Sequence, residues 1–92
     1  MRIHFHATLR DAVGGREPDL AFPPGTTVQA LLDAVTSRWP EARRLMLDGE
    51  GRLFRNVHVF VNGRDARYLA DGLATALAEE DALDLFPAVG GG

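Results

Sequence analysis

The chain has 92 residues, 46% apolar and 25% charged, with a formal net charge of −3. That size suits one small domain with an economical core, and the balance of apolar and charged residues excludes wholesale disorder. The lack of cysteine excludes disulfides, thiolate metal ligation and a catalytic thiol; the interspersed acids and arginines leave no basic patch for nucleic acid; no apolar run reaches the ~18–20 residues of a membrane span.

The start, MRIHFHATLR, alternates and does not form a signal-peptide core, so a cytoplasmic protein is expected, with neither membrane nor nucleic acid as partner. Ile3, Phe5, Ala7 and Leu9 fall on one side and Arg2, His4, His6 and Thr8 on the other, the period of a half-buried strand. A Gly14-Gly15 turn follows. Leu20 and Phe22 then predict a weaker strand whose Pro18 suits a sheet edge, so the first two strands read as a hairpin. Beyond Pro23-Pro24-Gly25, residues Val28, Leu31, Leu32, Val35 and Trp39 share one helical face. Thr26 is the expected N-cap with Gln29 at the capping-box position, and Pro40 is a stop. Ala42, Leu45 and Met46 predict one further short helical turn, and Asp48-Gly49-Glu50-Gly51 a flexible loop.

Alternation resumes at Val57, Val59 and Val61 against His58 and Phe60, and Asn62-Gly63 is a tight-hairpin signal leading to a short return strand around Arg64 to Tyr68. Residues 69–81 read as a loop or single helical turn. Ala82 to Phe86 form the last strand, with Leu83 and Leu85 inward, and Pro87 discourages further pairing. The order strand, strand, helix, strand, short strand, strand predicts an α+β domain over 1–86, a mixed sheet of four to five strands covered by one main helix. Residues 87–92 are then a flexible tail.

The tail ends Leu85-Phe86-Pro87-Ala88-Val89-Gly90-Gly91-Gly92. A terminal carboxylate is a poor electrophile, but joined to AMP at the expense of ATP it becomes an acyl group that sulfur or an amine can attack. Glycine lacks a Cβ and threads a narrow channel. The six residues beyond Phe86 extend at most about 20 Å, long enough to enter a partner's active site while the folded body docks outside.

The element order and the segments FHATLRDAVGG, VNG and AEEDALDLFPAVGGG resemble the MoaD/ThiS sulfur-carrier family of ubiquitin-like β-grasp proteins over nearly the whole chain. Within it the likeness is nearest to the molybdopterin-synthase small subunit and to the carrier of an actinobacterial cysteine pathway. The resemblance implies that an E1-like adenylyltransferase activates Gly92 and that a sulfur donor converts it to a thiocarboxylate. An acceptor synthase, the molybdopterin-synthase large subunit or a cysteine synthase, then takes the sulfur. ATP is used by the partner and no cofactor is bound by the carrier itself. Val89, Gly90 and Gly91 are the expected tail-binding residues, Gly90 departing from the small or polar residue usual before the glycine pair. A carrier whose sulfur rides on its own carboxyl terminus needs no thiol. All ten basic residues are arginine, so no side-chain amine is offered for conjugation.

In a β-grasp sheet the first, last and third strands are neighbours. With Ile3, Phe5, Val57, Val59, Val61, Leu83 and Leu85 facing the helix, the residues His4, His6, His58, Phe60, Asp84 and Phe86 share the outer face. Phe60 and Phe86 are the expected anchors for partner docking, with His4, His6 and His58 at the rim. No native metal is expected, because a strand separates His58 from the other two imidazoles. Asp65, Arg67 and Asp71 read as a structural pairing around the return strand, Trp39 as core, and Arg43 and Arg44 as a solvated face. No paired carboxylates in a pocket, no defensible Ser/His/Asp arrangement and no phosphate-cradling loop argue for an enzyme. Two further functions compete with sulfur transfer: a protein modifier joined to lysines of other proteins, and a β-grasp interaction module that is never activated.

Overall fold

The computed structural model describes residues 1–15, 18 and 20–88. Strand β1 (Arg2–Phe5) is followed by α1 (Thr8–Ala12), α2 (Val28–Arg38), α3 (Pro40–Met46), β2 (His58–Val61), β3 (Arg64–Asp65) and β4 (Ala82–Phe86), with 3₁₀ turns at Ala66–Tyr68 and Gly72–Ala74. Among the described residues the sheet has four strands in the order β1-β4-β2-β3. β1 runs parallel to β4, while β2 is antiparallel to both β3 and β4. The first strand thus lies beside the last, the β-grasp arrangement. Among the described residues, no helix is long and apolar enough to cross a membrane.

Strand parity sorts the side chains as the sequence predicts. Phe5, Val57, Val59, Val61, Leu83 and Leu85 are buried in one core with Val28, Leu31, Leu32 and Val35 of α2, and Ile3 is half-buried against it. Each fully buried Leu or Val contributes roughly 1.5–3 kcal/mol of transfer free energy, which makes this seam the main source of stability. The helix begins one residue later than the capping pattern suggests. Thr27 is the N-cap and its hydroxyl accepts from the Ala30 N–H at 3.1 Å, while the Thr26 hydroxyl donates to the Pro23 carbonyl at 2.7 Å. Gln29 serves no capping box; its amide donates to Asp33 at 2.9 Å. Trp39 ends α2 and packs edge-on against Phe5 with centroids 6.1 Å apart, and Pro40 opens α3. Helix α3 has seven residues where one turn is expected, because Ala42 and Met46 are both buried. Asp48 accepts from the Glu50 and Arg52 N–H groups at 2.8 and 3.0 Å, closing the Gly-rich loop.

Three strand expectations need correction. The first strand ends at Phe5, not Leu9; Leu9 and Val13 instead bury one face of α1 and the turn that follows it. Leu9, Ala12 and Val13 also satisfy the i, i+3, i+4 spacing, and short apolar runs support either period. Leu20 and Phe22 pack against the core without joining the ladder, and Pro18, Pro23 and Pro24 remove three donors from that stretch. The return strand is cut to two residues because the Asp65 carboxylate accepts from the Arg67 N–H at 2.9 Å and turns the chain into a 3₁₀ helix. The Arg67 guanidinium pairs with neither expected carboxylate; it donates to the carbonyls of Val57 and Phe54 at 2.6 and 2.8 Å.

Candidate docking face and tail root

The sheet face opposite α2 is built by β1, β4 and β2. Register sets His4 beside Asp84, Asp84 beside Phe60, and Phe86 beside His58. Period-2 alternation therefore delivers the six expected outer residues to one surface. Four of their rings form a continuous strip. His6 lies flat on Phe86 (centroids 4.2 Å, interplanar angle 7°), Phe86 meets Phe60 edge-on (5.8 Å, 86°), and Phe60 stacks with His58 (5.8 Å, 21°).

This arrangement modifies the expected picture. Phe60 and Phe86 are half-buried by one another and by the imidazoles, and do not stand free in water. His6 is no rim residue, since it covers one face of Phe86. His58 does lie exposed at the β2 end of the strip, and His4 sits half-buried opposite Asp84. The large apolar side chain most open to solvent is Tyr68, 87% exposed on the 3₁₀ turn after β3. Sequence reasoning had placed it in a strand.

Carboxylates lie beside two of the imidazoles, one of them at close hydrogen-bonding distance. Asp84 Oδ1 lies 2.8 Å from His6 Nε2, and since a carboxylate only accepts, that nitrogen carries the donated proton. Asp65 Oδ2 stands 3.5 Å from His58 Nδ1. Among the described residues, no group of three or more His, Asp or Glu side chains is placed to hold a metal ion.

The start of β4 is pinned from the β2–β3 turn. Asn62 and Gly63 adopt φ of 52° and 83°, the left-handed pair that a two-residue hairpin requires. The Asn62 side chain donates to Asp81 at 2.9 Å and accepts from the Ala82 N–H at 3.0 Å. Asp81 also accepts from the Ala78 N–H at 2.7 Å; that bond and the Asn62 amide hold its carboxyl below the usual carboxylate range. At the other end of β4, Pro87 is buried and Ala88 is half-buried against the core. The expected reactive residue Gly92 and the expected tail-binding residues Val89, Gly90 and Gly91 lie outside the described residues.

The ThiS family model matches residues 3–92. Small archaeal modifier protein 3 of Haloferax volcanii is 37% identical over 93 residues, spanning 100% of this chain and 98% of the relative. Sulfur carrier protein CysO of Mycobacterium tuberculosis is 34% identical over 86 residues, spanning 91% of this chain and 89% of CysO. The crystal structure of the Amycolatopsis orientalis BexX/CysO complex contains a chain that superposes with a TM-score of 0.72 at 31% identity, covering 98% of this chain and 97% of that one. From the strand order, a family match over residues 3–92 and relatives 34–37% identical, the chain belongs to the ThiS family of β-grasp proteins, which comprises sulfur carriers and ubiquitin-like small modifiers.

Proposed function

We propose that the protein is a sulfur carrier and not an enzyme: Gly92 is its reactive residue, and the catalysis belongs to its partners. In the site of an E1-like adenylyltransferase the Gly92 carboxylate attacks the α-phosphorus of ATP and pyrophosphate leaves. Hydrosulfide released by a sulfur donor then attacks the acyl carbon and AMP leaves with one of the original oxygens, so that a C–S bond replaces a C–O bond and the end is a thiocarboxylate. The thiocarboxylate is delivered to an acceptor synthase of molybdopterin, cysteine or related biosynthesis, of which the carrier is at most a non-catalytic subunit. Val89, Gly90 and Gly91 line the partner's channel, while Phe60 and Phe86, flanked by His6, His58 and His4, seat the folded body outside it.

The observation that carries this reading is the similarity, over 91% of this chain, to a protein named as a sulfur carrier, with the family match extending to residue 92. The BexX/CysO complex, in which a similar chain is bound to another protein, supports a protein as the partner. Incubation with an E1-like adenylyltransferase, ATP and a sulfur donor should yield the intact-mass change of oxygen replaced by sulfur. Deletion of Gly91 and Gly92 should abolish it.

A second reading is favoured by the similarity to small archaeal modifier protein 3. As a modifier, the activated Gly92 would form an isopeptide bond with lysines of other proteins. The chain contains no lysine of its own, so it would be attached singly and never extended through its side chains.

A further inference from the structure

We infer that His6 is a positioning residue for Phe86, holding the docking handle at the root of the tail in one orientation before any partner arrives. This rests on the reading of the outer face as the docking surface. It adds a specific division of labour: Phe86 makes the contact, His6 aims it, and Asp84 aims His6.

Phe86 is the last residue of β4 and is supported unequally on its two sides. Toward β2 it has a ladder partner in His58 and the edge of the Phe60 ring. Toward β1 the ladder has already stopped: the last pair is Phe5 with Leu85, and the last backbone bond runs from the His6 N–H to the Leu85 carbonyl at 3.0 Å. One position further, side-chain packing takes over from strand pairing. The His6 ring lies on the Phe86 ring at 4.2 Å and 7° from parallel, so Phe86 is held between a flat imidazole and the edge of Phe60.

An imidazole alone turns about its χ angles and would make a loose wall. Here the bond to Asp84 at 2.8 Å fixes both the ring plane and the protonated nitrogen. Asp84 and Phe86 are two residues apart on one face of β4, so one strand carries both the handle and the group that orients its support. The backbone adds a further constraint. Ala7, directly after His6, has φ 54° and ψ −134°, a conformation unfavourable for any residue with a Cβ, and it turns the chain off the sheet at that point. The His6 N–H is itself bonded to the Leu85 carbonyl at 3.0 Å, so the residue is held from its backbone as well as from its ring.

Such a bracket affects binding more than chemistry. A docking side chain already in its bound orientation loses less conformational freedom on association. A side chain that moved only after docking would affect the later chemical step instead. The signature of positioning is a change in KM for the carrier with little change in kcat.

The test compares wild type with His6→Gln, which keeps a donor for Asp84 but removes the ring, and His6→Phe, which keeps the ring but removes the donor. In the free proteins, NMR side-chain couplings and ring-proton shifts report the Phe86 rotamer. Wild type should show one rotamer, His6→Gln averaging, and His6→Phe an intermediate state. With the E1-like enzyme, ATP–pyrophosphate exchange against carrier concentration should show KM raised roughly three- to tenfold in His6→Gln, the size of one aromatic pair, with kcat nearly unchanged and partial rescue in His6→Phe. Asp84→Ala provides the same measurements if His6→Gln does not fold. A Phe86 rotamer unchanged in His6→Gln, or a KM unchanged there while Phe86→Asp raises it, overturns the positioning role alone. A KM unchanged in Phe86→Asp overturns the docking face itself and the positioning role with it.

Discussion

The side chain of Asn62, in the turn between β2 and β3, reaches across to Asp81 at the entrance to β4, with Nδ2 donating to Oδ1 at 2.9 Å. The same amide accepts from the Ala82 N–H, so a residue chosen for its turn conformation also fixes where the last strand begins. Since β4 carries Asp84 and Phe86, its starting register determines where the docking face lies.

Asn62→Gly keeps a residue suited to positive φ but loses the two side-chain bonds, and should cost about 1–2 kcal/mol. Asn62→Ala loses the bonds and also places a Cβ at φ 52°, raising the cost to about 2–3 kcal/mol. Urea unfolding of the two variants measures the difference. Equal losses would mean that the turn conformation carries no separate weight.

Acid should weaken the fold through the same contact. The carboxyl of Asp81 is held below its ordinary value of 3.8 by the Ala78 N–H and then by the Asn62 amide, and Asp48 is held low by the Arg52 and Glu50 N–H groups. A carboxyl whose folded pKa lies below its unfolded one contributes stability that is complete above the unfolded value and is lost as pH falls through the folded value. Stability should therefore be level at neutral pH and decline below about pH 4. In Asp81→Asn the decline should be shallower and the neutral-pH stability lower. An acid limb parallel to that of wild type would remove Asp81 from the account.

Ala7→Gly should stabilise the protein, because glycine adopts φ 54°, ψ −134° without the clash a Cβ makes there. The relief outweighs the extra freedom glycine has in the unfolded chain, for a net gain of about 1 kcal/mol. Thermal unfolding reports it as a raised Tm; a lowered Tm would show that Ala7 carries no strain.

Much of the fold was legible in the sequence because two signals were dense. The valines at 57, 59 and 61 and the leucines at 83 and 85 alternate without interruption, and Val28, Leu31, Leu32 and Val35 keep a single helical face. Asn62-Gly63 marked a turn whose type depends on residue identity. The misplacements fall where side chains compete with backbone pairing. Leu20 and Phe22 are half-buried apolar residues packed against the core, but the prolines around them remove the donors a strand needs. Asp65 ends β3 by accepting from the backbone, and no hydropathy pattern registers that bond. The outer face was legible as a set of residues through parity alone. Its internal order was not, because the stack of His6 on Phe86 depends on β1 lying beside β4, a contact between residues far apart in sequence.

Whether Gly92 is the reactive end of a sulfur carrier is read out by intact-mass spectrometry after reaction with an E1-like adenylyltransferase, ATP and a sulfur donor. The expected result is an ATP-dependent replacement of one oxygen by sulfur, localised to the C-terminal peptide and absent when Gly91 and Gly92 are deleted. An unmodified mass with an adenylyltransferase that activates other carriers of the family under the same conditions would contradict it.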